Sequence, residues 1–276
     1  MMKHAETMTS ANVSEWNAGV YHQVANPHVE WGLKVLDGLE LNGDETVADV
    51  GCGTGRVTAE LLNRLPGGRV IAIDRSANMI EEAKSHLEPR YGDQVGYLQA
   101  DLLAIQPSDI GEPVDLVFST ATFHWIRDHN TLFSRLFALL KPEGRLVAQC
   151  GGGPNLKRHV DRSIVLMNAD PWRPFFERWD TPKFYADQPD TFERLQHAGF
   201  IDVETSLIAA PTTLAGSETF TVFLTNVVFR EHLMQLPDQT LQDSFIAGLT
   251  RQAVDDNPPF SLDYWRLNMR GTRPLA

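Results

Sequence analysis

The sequence has few cysteines and no long hydrophobic run. Only Cys52 and Cys150 occur in 276 residues, and they form no C-x-x-C pair. This excludes a disulfide framework and a cysteine-based zinc site, and it fits the reducing cytoplasm. Residues 1–11 lack the apolar segment of a signal peptide, and no later segment approaches the apolar length of a membrane span. We therefore expect a cytoplasmic protein with no metal site and no membrane partner.

The chain also lacks a cluster of positive charge. It has 24 Lys and Arg residues against 36 Asp and Glu residues, a formal net charge of −12. Such a surface repels the phosphates of nucleic acids, so we expect no nucleic-acid partner. A small-molecule substrate is the remaining expectation, and the composition leaves a monomer and a homodimer both open.

Short apolar segments alternate with amphipathic ones over residues 44–150. Period-2 or continuous apolar runs predict strands, and apolar residues at helical spacing predict helices between them. The predicted strands are Thr46–Val50, Arg69–Ile73, Gln94–Leu98, Val114–Ser119 and Gly144–Cys150. The predicted helices of this region are Arg56–Leu65, Ala77–Leu87 and His129–Leu140, after two N-terminal helices within residues 13–40, Val13–Tyr21 and Val29–Leu39. This alternation predicts an α/β fold with a doubly wound parallel sheet covered on both faces.

Two stretches interrupt the alternation and are predicted to form a helical cap. Residues 151–188 open on three glycines and are rich in aromatic side chains, and residues 213–256 have the pattern of two or three helices. The remaining strands are predicted at Ile201–Ala209 and Asp263–Arg270. We expect a single domain over residues 1–276, with its core in 44–150, 189–210 and 260–272.

The strongest motif is an apolar strand that ends in a glycine-rich turn, Val47-Ala48-Asp49-Val50-Gly51-Cys52-Gly53-Thr54-Gly55. Glycines leave no Cβ between the loop and a ligand, so such turns hold nucleotide-like cofactors at the carboxyl ends of parallel strands. The spacing is Asp-x-Gly-x-Gly-x-Gly, which differs from the G-x-G-x-x-G fingerprint of dinucleotide binding. A tight turn with a purely structural role would show the same glycines.

Acidic residues follow the strand ends at matching positions. Asp74 ends the second strand, 21 residues after Gly53 (74 − 53), where a carboxylate accepts hydrogen bonds from ribose hydroxyls. Asp101 follows the third strand, where an adenine amino group would lie, and Asp49 precedes the turn. Asp74 would alternatively cap the helix that begins near Ala77. Three acids in step with three strand ends favour cofactor binding.

With these motifs the sequence resembles the class I S-adenosylmethionine (SAM)-dependent methyltransferases. The resemblance also rests on Lys141-Pro142-Glu143-Gly144. It is closest to the trans-aconitate methyltransferase-like branch, by Trp16-Asn17, Tyr21, the segment Phe118–Ile126 and Asp128. The family implies a seven-stranded Rossmann-like sheet of order 3-2-1-4-5-7-6 with an antiparallel last strand, and SAM as the cofactor. The predicted cofactor-binding residues are Tyr21, Asp49, Gly51, Cys52, Gly53, Thr54, Gly55, Asp74, Arg75, Met79, Ala100, Asp101, Leu102, Ser119 and Thr120.

Methyl transfer requires a site that excludes water and orients the acceptor. Aromatic faces also attract a sulfonium cation. The predicted substrate-binding residues are Tyr21, Phe123, His124, Trp125, Arg158 and Trp172. His124 is the candidate general base, with a hydrogen bond to the substrate as its other possible role, and Phe123 has core packing as its alternative. A carboxylate acceptor would need no base, because it is already ionised at neutral pH.

The leading hypothesis is therefore methyl transfer to a small-molecule carboxylic acid. Methyl transfer to a carbon, nitrogen or hydroxyl oxygen of a natural product or lipid-like metabolite remains open. An NAD-dependent oxidoreductase is the alternative of another class, since Asp74 would suit NAD. The glycine spacing and the absence of a Tyr-x-x-x-Lys pair from the sequence disfavour it. A SAM-binding protein without turnover is the third possibility.

Overall fold

A seven-stranded mixed sheet forms the centre of the protein. The computed structural model describes residues 26–275, so the predicted helix Val13–Tyr21 lies outside the described residues. The strands are β1 (Thr46–Val50), β2 (Arg69–Asp74), β3 (Val95–Gln99), β4 (Val114–Thr120), β5 (Leu140–Gly151), β6 (Ile201–Ala209), β7 (Thr212–Thr213), β8 (Ser261–Leu262) and β9 (Trp265–Thr272). The sheet order is β3-β2-β1-β4-β5-β9-β6, and β7 pairs with β8 separately.

The predicted topology is confirmed. Strands β1 to β5 pair in parallel, and β9 lies antiparallel between β5 and β6. Five parallel strands place their carboxyl ends at one edge of the sheet, where the loops after β1, β2, β3 and β4 converge. This edge is where ligands bind in open α/β sheets.

Helices cover both faces of the sheet. They are α1 (Asn26–Asp37), α2 (Arg56–Asn63), α3 (Ala77–Tyr91), α4 (Pro107–Ile110), α5 (His129–Leu139), α6 (Lys157–Met167), α7 (Arg173–Phe176), α8 (Gln188–His197), α9 (Ser217–Phe223), α10 (Arg230–Leu233) and α11 (Gln239–Ala253). Single turns of 3₁₀-helix occur at Gly92–Gln94 and Phe123–Trp125, and a π-helical turn at Leu224–Val228 follows α9.

The central strands β1, β2 and β4 are buried on both sides because each side packs against helices. Leu36 of α1 and Leu87 of α3 join one core cluster with Phe118 of β4, while Phe133 and Leu136 of α5 belong to the cluster on the other face. A fully buried side chain of this size contributes about 1.5–3 kcal/mol. These two clusters fix the strands and hence the loops at their carboxyl ends.

A third core cluster lies under the cap helices. Phe220 and Phe223 of α9 pack with Phe245 and Leu249 of α11 and reach Trp31 of α1. Helices α6 and α11 are in contact, although 71 residues separate Met167 from Asp238. We propose that residues 151–188 and 213–256 together form the cap of a single domain.

Some boundaries differ from the predicted ones. Within the described residues helix α1 covers Asn26–Asp37, so it ends two residues before the predicted Leu39. Strand β5 begins at Leu140, four residues before the predicted Gly144, and Glu143 within it has a φ of 64°. Helix α3 continues past the predicted Leu87 to Tyr91 and includes Pro89 in its last turns.

Candidate active site

A cavity of about 170 Å³ lies between the carboxyl edge of the sheet and the cap. Its floor is the glycine-rich turn after β1 and the ends of β2 and β4, and its other walls come from α1, β9 and the cap. Eleven of the residues predicted to bind cofactor or substrate line it: Gly51, Gly53, Asp74, Arg75, Met79, Ala100, Asp101, Leu102, Thr120, His124 and Trp125. The fold thus brings together residues from four strand ends that are distant in sequence.

The two glycines that line the cavity have different roles. Gly51 has a φ of +79°, and a Cβ there would lie 2.0 Å from Thr122 Oγ1. Gly53 has a φ of +55°, and a Cβ there would meet no atom within 4 Å. Gly51 is therefore required by packing, whereas Gly53 presents its backbone to open space where a ligand can approach.

Alanine at each of these glycines should separate folding from binding. We expect Gly51→Ala to lower the free energy of unfolding by about 2–4 kcal/mol, the sum of overpacking and left-handed strain. Gly53→Ala should cost only about 1 kcal/mol of stability, because its strain is not accompanied by a clash. It should instead weaken binding of S-adenosylhomocysteine (SAH). Urea unfolding without ligand measures the stability of both variants, and calorimetric titration measures their affinity for SAH. Equal stability losses in the two variants would contradict the different roles assigned to these glycines.

Asp74 connects the ends of β1 and β2. Its Oδ2 accepts a hydrogen bond from the Gly53 backbone N–H at 3.0 Å, and its Oδ1 accepts one from the Ser76 backbone N–H at 2.9 Å. Burial raises the pKa of Asp74 above its ordinary value, against the opposing effect of these hydrogen bonds. Ser76 caps α3 by accepting from the Met79 N–H, so Asp74 is not needed as the cap and is positioned to face the cavity.

Asp101 lines the same cavity from the loop after β3. One of its carboxylate oxygens accepts a hydrogen bond from the Leu103 N–H at 2.9 Å. The side chain is exposed, in contrast to that of Asp74. Asp101 and Asp74 therefore line the cavity from the ends of neighbouring strands, as the sequence predicts.

Asp49 is buried beneath the turn, beside a smaller recess of about 70 Å³. Thr58 donates a hydrogen bond from its hydroxyl to Asp49 Oδ2 at 2.6 Å. Burial raises the pKa of Asp49 from 3.8 to about 7, and the charge of Asp74 acts in the same direction. Asp49 therefore links the turn to α2 and holds its proton at mildly acidic pH.

This raised pKa has a consequence for stability. Below about pH 4 the carboxyl is protonated in both the folded and the unfolded chain, so its titration does not change the free energy of unfolding. Between about pH 4 and about pH 7 the unfolded chain releases the proton that the folded protein keeps, so the folded protein loses stability as pH rises. Asp49→Asn removes this loss while retaining an acceptor for Thr58.

We expect the unliganded Asp49→Asn variant to gain stability over wild type progressively across that pH window. The gain should reach a few kcal/mol, at about 1.4 kcal/mol per unit of pKa shift, and stay level above about pH 7. Urea unfolding at a series of pH values measures it. A difference between the two proteins that is constant with pH would show that Asp49 has an ordinary pKa.

His124 lines the cavity as a neutral side chain. Burial lowers its pKa well below the usual value, and the cations of Arg266 and Lys183 act in the same direction. Its Nδ1 accepts a hydrogen bond from the Gly151 backbone N–H at 3.4 Å. In a neutral ring the proton then sits on Nε2, so this nitrogen is a donor. The geometry favours a hydrogen bond to substrate over the general-base role.

Two cationic side chains of the cavity were not among the predicted site residues. Arg266 of β9 is 3% exposed, stacks 4.4 Å from the centre of the Trp31 ring and donates from Nε to Gln149 Oε1 at 3.4 Å. Lys183 places its Nζ 4.8 Å from the centre of the Trp125 ring and donates to the Val228 carbonyl. Burial lowers the pKa of Lys183, and a bound anion would favour its charged form.

Sequence periodicity gave no signal for most of the other lining residues. Tyr185 stacks on His124 at 6.0 Å between ring centres and comes from the irregular segment between α7 and α8. Further lining residues come from α1, the cap and the residue before β9: His28, Asn155, Leu156, Val227, Val228 and Tyr264. The close approach of these elements depends on tertiary packing.

Several predicted cofactor residues lie beside the cavity. Cys52 and Thr54 line the smaller recess with Asp49, and Gly55 packs against Leu87. Ser119 is buried and donates a hydrogen bond to the Val50 carbonyl at 2.7 Å. Their positions are compatible with a role in shaping the turn. Tyr21 lies outside the described residues.

The structure does not place all predicted substrate residues at the cavity. Phe123 is fully buried in the core, 6.1 Å from Phe133 between ring centres. Arg158 donates to the Ser261 backbone carbonyl at 2.6 Å, and the Trp172 indole donates to the Leu241 carbonyl at 3.2 Å. These contacts give all three side chains structural roles in the described part of the chain.

Comparison with known proteins supports the resemblance found in the sequence. Residues 47–144 match the family described as "Methyltransferase domain". Trans-aconitate 2-methyltransferase of Escherichia coli O1:K1 / APEC is 36% identical over 137 residues, 50% of this chain and 51% of that protein. The enzyme of the same name from Paracidovorax citrulli is 33% identical over 159 residues, 58% of each chain. The chain thus aligns with little more than half the length of these relatives.

Solved structures share the fold. A putative methyltransferase from Bacillus halodurans has a TM-score of 0.59 at 17% identity, covering 88% of this chain and 98% of its own. A phosphoethanolamine N-methyltransferase of Haemonchus contortus, solved with SAH, has a TM-score of 0.58 at 18% identity, covering 93% and 57% respectively. The predicted fold, and the resemblance to class I methyltransferases near the trans-aconitate branch, are confirmed.

Within 26–275, no helix combines the length and apolarity needed to cross a lipid bilayer. The same part of the chain has no group of three or more His, Cys, Asp or Glu side chains arranged to hold a metal ion.

Proposed function

We propose that this protein is a SAM-dependent methyltransferase that methylates the carboxylate of a small organic acid. The observation that carries the proposal is a single cavity with both halves of such a site. The glycine-rich turn, Asp74 and Asp101 lie on one side, and the cations Arg266 and Lys183 lie on the other. The match of residues 47–144 to a methyltransferase domain supports the first half.

The cofactor side fits SAM by its hydrogen-bonding groups. Each oxygen of Asp74 accepts one backbone N–H and retains a lone pair, so the carboxylate can also accept from two ribose hydroxyls. Gly53 leaves open space beside it, and Asp101 can accept from an adenine amino group. SAM, when bound, supplies an electrophilic methyl group on a sulfonium.

The acceptor side favours an anion. The Arg266 guanidinium is always charged and binds carboxylates well, and it is nearly fully buried, where an ion pair is screened little by water. His124 offers a neutral donor beside it, and the Tyr185 ring covers that imidazole. An ionised carboxylate is already a nucleophile at neutral pH. The residues therefore need only orient the acceptor and exclude water.

Relatives of this chain support the same acceptor class, since several are named trans-aconitate 2-methyltransferases. Hydroxyl, amine and carbon acceptors are the alternatives, and each would require a group to take a proton. His124 is poorly suited to that task because its Nδ1 is already occupied and its pKa is low. We further propose that the enzyme acts in the cytoplasm as a monomer or homodimer.

A product assay tests the proposal. Purified protein is incubated with SAM and a panel of carboxylic acids, alcohols, amines and phenols, and the products are identified by mass spectrometry. We expect methyl esters that release methanol on mild alkaline hydrolysis. Exclusive formation of ethers or N-methyl products would overturn the carboxylate assignment while leaving the methyltransferase assignment standing.

The pH dependence of turnover provides a second check. Because the acceptor is already ionised and His124 is already neutral, we expect kcat for a carboxylic acid to be constant between about pH 6 and about pH 8. A general base that titrates near the ordinary histidine pKa of about 6.5 would instead make kcat rise with pH over the lower part of this range. Initial rates at saturating SAM and acceptor distinguish the two results.

A further inference from the structure

A second cavity, of about 270 Å³, adjoins the first inside the cap. Leu156, Lys183, Tyr185 and Val228 line both cavities, so these four side chains form the boundary between them. We call this second cavity the cap chamber. Its position means that an acceptor held by its carboxylate near Lys183 has the chamber directly beyond it.

One stripe of helix α6 forms a wall of the cap chamber. Val160, Ser163, Ile164 and Met167 all line it, at the spacing of a single helix face. Val165, on the same helix, is 68% exposed and does not line the chamber. The stripe therefore turns three apolar side chains and one hydroxyl towards the space.

The rest of the wall is mainly aromatic and aliphatic. Trp179 and Phe229 lie around His232, with ring centres 4.4 Å and 4.9 Å from that of the imidazole. Burial lowers the pKa of His232 to about 3, so the imidazole is uncharged at neutral pH. Asp180 contributes a charge at the surface, where its side chain is 79% exposed and pairs with Arg127. The inner wall of the chamber is uncharged except for Lys183 at the boundary.

From this arrangement we infer that the acceptor is a monocarboxylic acid with an apolar tail, and that the cap chamber binds the tail. This inference rests on the proposed function, because it specifies the acceptor of the same site. A compact polycarboxylate would leave the chamber without an occupant. An apolar chain would instead be desolvated against the Val160, Ile164 and Met167 face.

A chain-length series tests the inference. The protein is assayed with acetate, butyrate, octanoate and dodecanoate, with trans-aconitate as the compact polyanion. We expect kcat/KM to rise about three- to fourfold for each methylene buried, until the chamber is filled. A higher kcat/KM for trans-aconitate than for every monocarboxylic acid would overturn the inference and leave the proposed function intact. Methylation of no acid at all would refute both.

A pair of neighbouring substitutions locates the tail. Ile164→Glu introduces a carboxylate into the chamber wall, whereas Val165→Glu introduces it on the outer surface of the same helix. Both native side chains are well exposed, at 47% and 68%, so both variants are expected to fold. We expect Ile164→Glu to lower kcat/KM for dodecanoate at least tenfold and to lower kcat/KM for butyrate much less, because the short tail of butyrate leaves most of the chamber empty.

The matched control and a filling variant complete the test. Val165→Glu should behave as wild type with every acid. Val160→Phe should reduce the chamber volume and shorten the preferred chain without changing SAH affinity. Equal effects of Ile164→Glu on butyrate and dodecanoate, or equal effects of the two glutamate variants, would show that the tail does not bind in the cap chamber.

Discussion

Replacing Asp74 with alanine is expected to weaken SAH binding at least about 100-fold. Two charge-assisted hydrogen bonds from ribose hydroxyls would be lost, each with a value of about 1.5–3 kcal/mol when the acceptor is ionised. The same change removes the acceptor for the Gly53 and Ser76 N–H groups, so the turn also loses its support. Isothermal titration of the folded variant measures the affinity.

Two further variants show whether the effect belongs to this carboxylate. Asp74→Asn retains one acceptor oxygen and should show an intermediate loss. Asp93→Ala removes an exposed carboxylate that follows α3 and should bind SAH as wild type does. If Asp74→Ala bound SAH normally while folding normally, the cofactor would not bind at the end of β2.

Replacing Arg266 with methionine is expected to lower kcat/KM for a carboxylic acid about 30- to 5000-fold. Truncating one partner of a buried charged pair costs about 2–5 kcal/mol, and methionine retains the apolar stem that packs on Trp31. SAH affinity should remain within about threefold of wild type, since Arg266 is assigned to the acceptor side. Steady-state kinetics and titration separate these two quantities.

Arg270 provides the matched control for Arg266. It lies on the same strand, 61% exposed, and pairs with Glu204 at 2.5 Å between Nη2 and Oε1. Arg270→Met should leave kcat/KM unchanged, because an exposed ion pair contributes little. A comparable loss of kcat/KM in both variants would mean that the substitutions act by destabilising β9. A loss of SAH binding in Arg266→Met would place this residue on the cofactor side.

Much of the sheet could be predicted because its strands have strong local patterns. Strand β1 is Thr46–Val50 in both the prediction and the structure, and β6 is Ile201–Ala209 in both. Parallel strands covered on both faces give nearly continuous apolar runs, which are easy to identify. The start of β5 was predicted less accurately, because residues 141–144 have the sequence of a turn and the pairing of β5 with β4 is irregular between Leu140 and Arg145.

The residues of the proposed cofactor side could also be identified from the sequence. Gly53, Asp74 and Asp101 follow consecutive strands, and parallel strands bring such positions to one edge. The residues of the proposed acceptor side could not be identified in the same way. Arg266 lies in the last strand, whose sequence does not show which side chains meet the cavity, and Lys183 lies in an irregular segment of the cap. Arg266 and Lys183 line the same cavity because β9 lies antiparallel between β5 and β6.

The predicted aromatic residues show the same limit. Phe123 and Trp125 are two residues apart, yet Trp125 lines the cavity and Phe123 is in the core. The 3₁₀-helical turn at Phe123–Trp125 sets this difference, and a short turn after a strand has no periodicity that would predict which side chain points inward. Arg158 and Trp172 were placed at the site by composition alone, and they donate hydrogen bonds to Ser261 of β8 and Leu241 of α11.

Isothermal titration of the wild-type protein with SAH, with NAD as a parallel ligand, tests the central claim most directly. The geometry of the glycine-rich turn, Asp74 and Asp101 predicts micromolar or tighter binding of SAH and no binding of NAD. Binding of NAD alone would contradict the assignment of a methyltransferase site, and binding of neither ligand would show that this cavity does not hold a nucleoside cofactor.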